Sequence, residues 1–156
     1  VALLCASRRK CDELKLSPLA TIKSIATAAL APAAMGLGPV HAAPLALQKA
    51  GLGLQDMDLV ELNEAFAAQV LACQRAFGDD DYCREQLGLP AAPGAIDPAR
   101  LNVNGGAIAL GHPIAATGAR LVLTLALELR RRSLRHGLAT LCIGGGQGQA
   151  VVLEAA

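Results

Sequence analysis

The sequence predicts a layered α/β fold, in which a mixed β-sheet packs against α-helices. Apolar residues make up 53% of the chain, yet only Phe66, Phe77 and Tyr82 are aromatic. A core of this composition consists of Ala, Leu, Val and Ile, which suits regular elements in layers better than an aromatic-rich β-sandwich. Strand-like and helix-like patterns also alternate along the chain, which then ends in a hairpin.

Five short segments have the composition of β-strands. Residues 1–6 form an apolar run that reads as a short buried strand, and residues 19–29 are rich in β-branched side chains. The other three strands are predicted at 59–62, 138–143 and 149–153. The triglycine at 144–146 separates the last two by so short a turn that they must run antiparallel.

Helices are predicted between the strands where a capping residue precedes a helical pattern. Ser7 is a candidate N-cap for a charged helix, and Pro39 can begin a helix that Gly51 closes. An apolar stripe with a spacing of three or four residues predicts a helix from Asn63 to about Phe77. Two more helices are predicted, a short one from the aspartates at 79–81 to residue 86 and a long one over 113–134.

The composition excludes several classes of protein. A net charge of +1 gives no global field that attracts nucleic acid or an anionic membrane. The five cysteines are an odd number without a Cys-x-x-Cys pair, which argues against a disulfide framework and for a reducing compartment. Histidines and cysteines are scattered, so no metal site is expected. No secretory signal is visible, and charges at Arg120 and Glu128 interrupt the longest apolar helix before it could span a membrane.

Three segments combine small, turn-forming and reactive residues. They are 63–66 after the third predicted strand, 111–113 (Gly-His-Pro), and 142–146 at the end of the fourth strand. Ligands of open α/β sheets bind at the carboxyl ends of strands, where Asn63 and Cys142 are expected. The sequence therefore predicts a site to which these segments contribute.

Each candidate side chain also has an ordinary structural explanation. Cys142 can be a buried inert cysteine, but the glycines after it could bring backbone N–H groups against a ligand carbonyl. His112 can be a packed or capping residue, whereas its glycine flanks favour exposure in a crevice, where an imidazole could activate a thiol. Asn63 can be a helix N-cap or an amide that fixes a water or a carbonyl.

Two glycine-rich segments resemble nucleotide-binding motifs but lack residues or context that those motifs require. Residues 106–112 read G-x-x-x-x-G-H, but the Lys and the Ser or Thr of a phosphate-binding loop are missing. The glycine-rich run 144–149 leads into a strand rather than a helix, so the dinucleotide-binding fingerprint fails.

Three motifs together resemble the thiolase family: ELNEAFAAQ (61–69), NVNGGAIALGHPIAATGAR (102–120) and GLATLCIGGGQGQAVVLE (137–154). The resemblance is collinear and covers nearly the whole chain, with residues 78–99 the loosest part. The long loop after residue 78 and the AATGAR segment are more similar to β-subunits of fatty-acid β-oxidation complexes. Those subunits tend to have His where this chain has Asn63, so the subclass stays open.

The resemblance implies a chemistry and a role for each site residue. Thiolases make or cleave 3-ketoacyl-CoA by Claisen chemistry, through an acyl-enzyme on cysteine. His112 matches the histidine that activates this cysteine, and Asn63 the residue that orients a water in an oxyanion hole. Cys142 matches the second cysteine, an acid/base at the α-carbon, and Gly144 a backbone N–H donor. Four further residues are expected on the substrate and CoA side of the site: Ala65, Phe66, Gly111 and Pro113.

The resemblance also implies the architecture and the partners. The expected fold is a thiolase-like half, a mixed five-stranded sheet with helices on both faces, with residues 1–156 forming the C-terminal domain. The nucleophilic cysteine belongs to an N-terminal half, and neither Cys5 nor Cys11 has its surroundings. Without that half, an apolar face on the helix after Pro113 should be exposed. CoA thioesters are expected as substrates without a covalent cofactor, in a homo-oligomer in the cytoplasm, or in a mitochondrial or peroxisomal matrix.

Two other functions remain open for the sequence alone. Cys142 and His112 could form a self-contained Cys–His hydrolase of acyl thioesters. Alternatively, the chain could be a degenerate half that serves as a non-catalytic scaffold or interaction module.

Overall fold

The computed structural model describes residues 1–156 and contains one four-stranded mixed sheet. The strands are β1 (Ala20–Ala29), β2 (Leu59–Leu62), β3 (His136–Gly144) and β4 (Gln147–Ala155). Their order across the sheet is β1-β4-β3-β2. β4 runs antiparallel to both of its neighbours, whereas β2 and β3 are parallel. The α/β class and the C-terminal hairpin are therefore confirmed.

Six α-helices connect or cover these strands. They are α1 (Arg8–Leu14), α2 (Gly38–Ala50), α3 (Ala67–Phe77), α4 (Asp80–Leu87), α5 (Ala107–Leu110) and α6 (Ile114–Arg132), with short 3-10 turns at Pro32–Leu37, Leu54–Asp56 and Pro98–Arg100. The predicted caps are present: Ser7 accepts a hydrogen bond from the amide of Lys10, and Gly51 ends α2 with φ 70°.

The predicted strand at residues 1–6 is wrong, so the sheet has four strands and not five. Val1 and Leu4 are 68% and 87% exposed, and this segment pairs with no strand of the sheet. An apolar run alone does not make a strand without a paired neighbour. At the β2 edge of the sheet, Leu101 forms a single parallel bridge with Val60 and does not extend into a fifth strand.

The helix predicted from Asn63 begins four residues later, at Ala67. The amide of Asn63 donates to the carbonyl of Thr140 at 3.0 Å, which continues the β2–β3 pairing beyond the last residue of β2. Phe66 is still extended, with φ −149° and ψ 146°, and is 67% exposed. Residues 63–66 therefore form an extended strand exit and not a first helical turn.

Helices pack on both faces of the sheet, as predicted. Successive residues of a strand point to opposite faces, so Leu59 and Leu62 of β2 belong to different clusters. The larger cluster of 17 buried residues joins α2 and α3 to one face, through side chains such as Val40 and Phe77. The smaller cluster of 7 joins α6 to the other face. The α6 face is therefore the less completely covered one.

An open apolar groove lies beside α6 and is lined by residues of β1, β4 and β3. Its volume is about 360 Å³, and ten of its twelve lining residues are hydrophobic. Ile22 and Ile25 of β1 line it and are each 47% exposed. We call it the β1 groove; its other apolar walls include Leu3, Val122, Leu141 and Val151.

No helix of the chain is both long and apolar enough to cross a membrane.

Candidate functional site

The loop before His112 is fixed to the end of β2 by the side chain of Asn102. Its Oδ1 accepts from the amide of Leu62 and its Nδ2 donates to the carbonyl of the same residue, both at 2.9 Å. The amide group thus replaces the two hydrogen bonds that a neighbouring strand would make. Asn102 is buried and has φ 46°, a left-handed conformation that Asn tolerates better than most residues.

The carboxylate of Glu64 holds the same loop at two further points. One oxygen accepts from Nδ2 of Asn102 at 3.0 Å, and the other accepts from the amide of Ile108 at 3.1 Å. Gly106 leaves the space for this carboxylate. The side chain of Glu64 therefore joins the loop after β2 to the loop before α6.

His112 lies between two buried polar side chains while its own residue is exposed. Its Nε2 is 3.3 Å from Nδ2 of Asn63, and its Nδ1 is 2.8 Å from Oγ1 of Thr117. Asn63 is 1% exposed and Thr117 is fully buried, so both are fixed by their surroundings. The structure thus brings Asn63 and His112 together from different loops and holds the imidazole at the surface.

Cys142 lies at the carboxyl end of β3, half-buried and not in a disulfide. Its Sγ accepts a hydrogen bond from the amide of Gly144 at 3.4 Å. The strand pairing shifts register between these two residues, a bulge that leaves Ile143 45% exposed. The glycines at 144–146 all have positive φ, between 62° and 86°, so the turn requires glycine.

Asn63 and Cys142 lie at the same edge of the sheet, the one formed by the carboxyl ends of the parallel strands β2 and β3. The hydrogen bond from Asn63 to Thr140 places the exit of β2 beside β3 two residues before Cys142. No hydrogen bond joins Cys142 to His112 in this chain. The two contacting pairs, Asn63 with His112 and Gly144 with Cys142, therefore approach one another along this edge without a direct link.

Apolar side chains are exposed in the segments that flank Asn63 and His112 in the sequence. Ile108 is 63%, Leu110 58% and Ile114 84% exposed, and the expected substrate-side residue Phe66 is 67% exposed. Ala65 is half-buried, while Gly111 and Pro113 are exposed beside His112. Contiguous exposed apolar residues mark a surface that another molecule or domain covers.

A buried carboxyl group lies two residues before Asn63 on the α6 face of the sheet. Glu61 is 2% exposed, and its Oε2 has no hydrogen-bond partner. Burial raises the pKa of Glu61 to about 7, against the opposing effect of the Arg120 charge. The three guanidinium nitrogens of Arg120 are also buried without a hydrogen-bond partner.

A site role for Thr117, Asn102 or Glu61 was not predicted from the sequence, and Glu64 was indicated only as a member of segment 63–66. Glu61 had a visible signal, because a lone acid in the apolar run LVEL is expected to be costly to bury. The other three act through contacts across loops, which periodicity does not report. No group of three or more His, Cys, Asp or Glu side chains is placed to hold a metal ion.

The site combines groups that serve proton transfer and charge stabilisation. An exposed imidazole, a side-chain amide, a thiol and a glycine-rich turn with backbone N–H groups lie along one sheet edge. Imidazole and thiol can move protons, and amide N–H groups can stabilise an oxyanion.

Comparison with known proteins identifies the family. Residues 16–155 match the family described as "Thiolase, C-terminal domain". An acetyl-CoA acetyltransferase from Syntrophomonas wolfei is 46% identical over 154 residues, which is 99% of this chain and 35% of that protein. A 3-ketoacyl-CoA thiolase from Pectobacterium atrosepticum is 49% identical over 154 residues, or 98% of this chain and 35% of that protein.

Solved structures agree with these relatives. The crystal structure of human mitochondrial 3-ketoacyl-CoA thiolase matches with a TM-score of 0.83 at 44% identity, over 97% of this chain and 34% of that one. The crystal structure of the same human enzyme in complex with CoA gives the same values. The chain thus spans about a third of the length of the relatives it matches. It belongs to the thiolase family and corresponds to the family's C-terminal domain.

Proposed function

We propose that the chain supplies the C-terminal part of a thiolase active site, which transfers acyl groups between CoA thioesters. The reaction is cleavage of a 3-ketoacyl-CoA by CoA, or the reverse condensation with acetyl-CoA. The observation that carries the proposal is the contact of His112 with Asn63 at 3.3 Å, at the same sheet edge as Cys142. These residues come from three motifs that are separate in the sequence.

Each residue has a role in this proposal. His112 takes the proton of a nucleophilic cysteine located in the N-terminal half of a thiolase. That thiolate attacks the keto carbon and forms an acyl-enzyme, and the carbon–carbon bond breaks to leave the enolate of acetyl-CoA. Cys142 gives its proton to the α-carbon of this enolate and then takes the thiol proton of the incoming CoA. The CoA sulfur attacks the acyl-enzyme, and the cysteine leaves as a thiolate that recovers its proton from His112. Asn63, through a bound water, and the amide of Gly144 stabilise negative charge on the thioester oxygen.

We place the pantetheine arm of CoA along the exposed residues next to the imidazole. Phe66 and Ala65 form one side of this path, and Gly111 and Pro113 form the other. Phe66 is 67% exposed, and both Gly111 and Pro113 are open to solvent, which supports an approach from this direction. CoA thioesters are substrates in this proposal, and no covalent cofactor takes part.

The N-terminal half is proposed to cover the β1 groove. The groove is about 360 Å³ in volume and mostly apolar, and the α6 face has the smaller of the two buried clusters. A complementary half that packs here would bury Ile22 and Ile25 and complete the layer that α6 begins. The assembled enzyme is proposed to form a homo-oligomer in a reducing compartment, either the cytoplasm or an organelle matrix.

Cleavage of acetoacetyl-CoA by CoA tests the proposal. The 156-residue chain is assayed alone, and together with the N-terminal half of a thiolase relative. We expect no thiolysis from the chain alone and measurable thiolysis from the pair. Full activity of the chain alone would contradict the proposal. Hydrolysis of acyl-CoA by the chain alone, lost in Cys142→Ser, would favour a self-contained hydrolase instead. A complex that forms without any activity would favour the scaffold.

A further inference from the structure

The hydroxyl group of Thr117 is placed to decide which nitrogen of His112 carries the proton. Oγ1 of Thr117 lies 2.8 Å from Nδ1 of His112, and the threonine is fully buried at the start of α6. A neutral imidazole has one N–H donor and one acceptor nitrogen, and its hydrogen-bond partners determine which is which.

The single hydrogen of this hydroxyl has an acceptor at the N-cap of α6, the carbonyl of Pro113. Oγ1 of Thr117 donates to the carbonyl of Pro113 at 3.1 Å, the bond that a helical Thr commonly makes to the residue four positions earlier. A hydroxyl has one hydrogen to give, so towards His112 the same oxygen can only accept. With the hydroxyl hydrogen on the carbonyl of Pro113, Nδ1 is the protonated nitrogen.

The contact on the other side of the ring agrees. Nδ2 of Asn63, which can only donate, lies 3.3 Å from Nε2 of His112, so Nε2 must accept. Turning the Asn63 amide over would reverse this contact. It would then leave both buried N–H hydrogens of the amide without acceptors, where now one of these hydrogens and the carbonyl oxygen, Oδ1, are unpaired. Unpaired buried donors are rarer in proteins than under-satisfied carbonyl oxygens, so the observed orientation is favoured.

We propose that Thr117 is a positioning residue that holds neutral His112 as the tautomer with its proton on Nδ1. The lone pair of Nε2 is then the basic site of the imidazole. When Nε2 takes a proton from a thiol, the proton on Nδ1 stays in place, and no proton passes to Thr117. The tautomer does not depend on the proposed function, whereas its use as a base in thiolysis does.

Nitrogen NMR of the imidazole tests the tautomer directly. The ¹⁵N-labelled 156-residue chain is measured at about pH 8.5, above the ordinary range of imidazole titration. Signals of His112 are assigned by their loss in His112→Gln, since the chain has three histidines. We expect Nδ1 to resonate as a protonated nitrogen and Nε2 as an unprotonated one. The opposite pattern in the unmodified chain would overturn the proposal without any variant.

Two substitutions at Thr117 separate the hydroxyl from the shape of the side chain. Thr117→Ser should keep the Nδ1-protonated form, while Thr117→Val should give a mixture of both tautomers. Thr140→Val is the matched control, because it removes another fully buried hydroxyl, one that donates to the carbonyl of Gln149 at 2.8 Å. An unchanged single tautomer in Thr117→Val would contradict the proposal. Thr117→Ala replaces this variant if the amide spectrum shows that Val disturbs the fold.

Discussion

The carboxylate of Glu64 occupies the space that a side chain at position 106 would need. A Cβ atom built on Gly106 would overlap Cδ and both carboxylate oxygens of Glu64. Because the same carboxylate bonds to Asn102 and to the amide of Ile108, it cannot move aside without breaking the connection between the two loops.

Gly106→Ala should therefore destabilise the chain and release the loop before His112. We expect a loss of about 1–3 kcal/mol in the free energy of unfolding, measured by urea denaturation, and faster hydrogen exchange at the amide of Ile108. Gly118→Ala is the control, since a Cβ there meets nothing within 4 Å and Gly118 lies inside α6. That variant should gain about 0.5–1 kcal/mol. Equal effects of the two substitutions would argue against the Glu64 contact.

The buried carboxyl of Glu61 should make the chain less stable as the pH rises. Its pKa is raised from 4.5 to about 7 in the folded chain, so between these values the folded form keeps a proton that the unfolded form has lost. The contribution of Glu61 to stability is fully present below pH 4.5 and is lost as the pH rises to about 7, a change of roughly 3 kcal/mol. Glu61→Gln should remove this fall, while the exposed Glu85→Gln should keep it. Unfolding curves at several pH values that show the same slope in both variants would contradict the assignment.

Glu128 should make the chain more stable as the pH rises, which is the opposite of the effect of Glu61. Hydrogen bonds from Arg131, the larger cause, and from Arg132 lower the pKa of Glu128 to about 2, and Arg131 Nη2 lies 2.5 Å from its Oε1. Its stabilisation is therefore present above pH 4.5 and is lost as the pH falls towards 2. In Glu128→Gln, acid unfolding should become less steep in this range. An unchanged acid transition would show that the arginine contacts do not affect stability.

The β1 groove should be required for assembly with the N-terminal half. Ile25 is 47% exposed and lines the groove, so Ile25→Asp should leave the isolated chain folded but weaken its binding to that half. Leu71→Asp is the matched control, because Leu71 is 66% exposed on α3, which packs on the opposite face of the sheet. Analytical ultracentrifugation or titration calorimetry measures both. Equal binding of the two variants would place the interface elsewhere.

Elements with strong local signals were predictable from the sequence. Ser7 predicted the start of α1, and Gly51 predicted the end of α2. The triglycine predicted the hairpin of β3 and β4. The strand predicted at residues 1–6 does not form, because a strand needs a paired neighbour that composition does not reveal. The start of α3 was displaced because a backbone bond from Asn63 to β3 outweighed the helical pattern.

The candidate site was predictable only in part. Glycines or strand ends flank His112, Asn63 and Cys142, and those signals are local. Asn102 bonds to Leu62, 40 positions away in the sequence, and Glu64 bonds to Ile108 across 44 positions. Such contacts depend on where loops meet in space, so no periodicity or motif spacing predicts them.

The most direct test of the thiolase assignment is the rate of acetoacetyl-CoA thiolysis by the reassembled enzyme after substitution of Cys142. Cys142→Ser is compared with Cys11→Ser, a cysteine of α1 that is also not in a disulfide. Because the proposal gives Cys142 the proton transfer at the α-carbon, its substitution should lower kcat by about 10²–10⁴-fold, while Cys11→Ser should leave the rate unchanged. A Cys142→Ser enzyme with the unmodified rate would contradict the assignment.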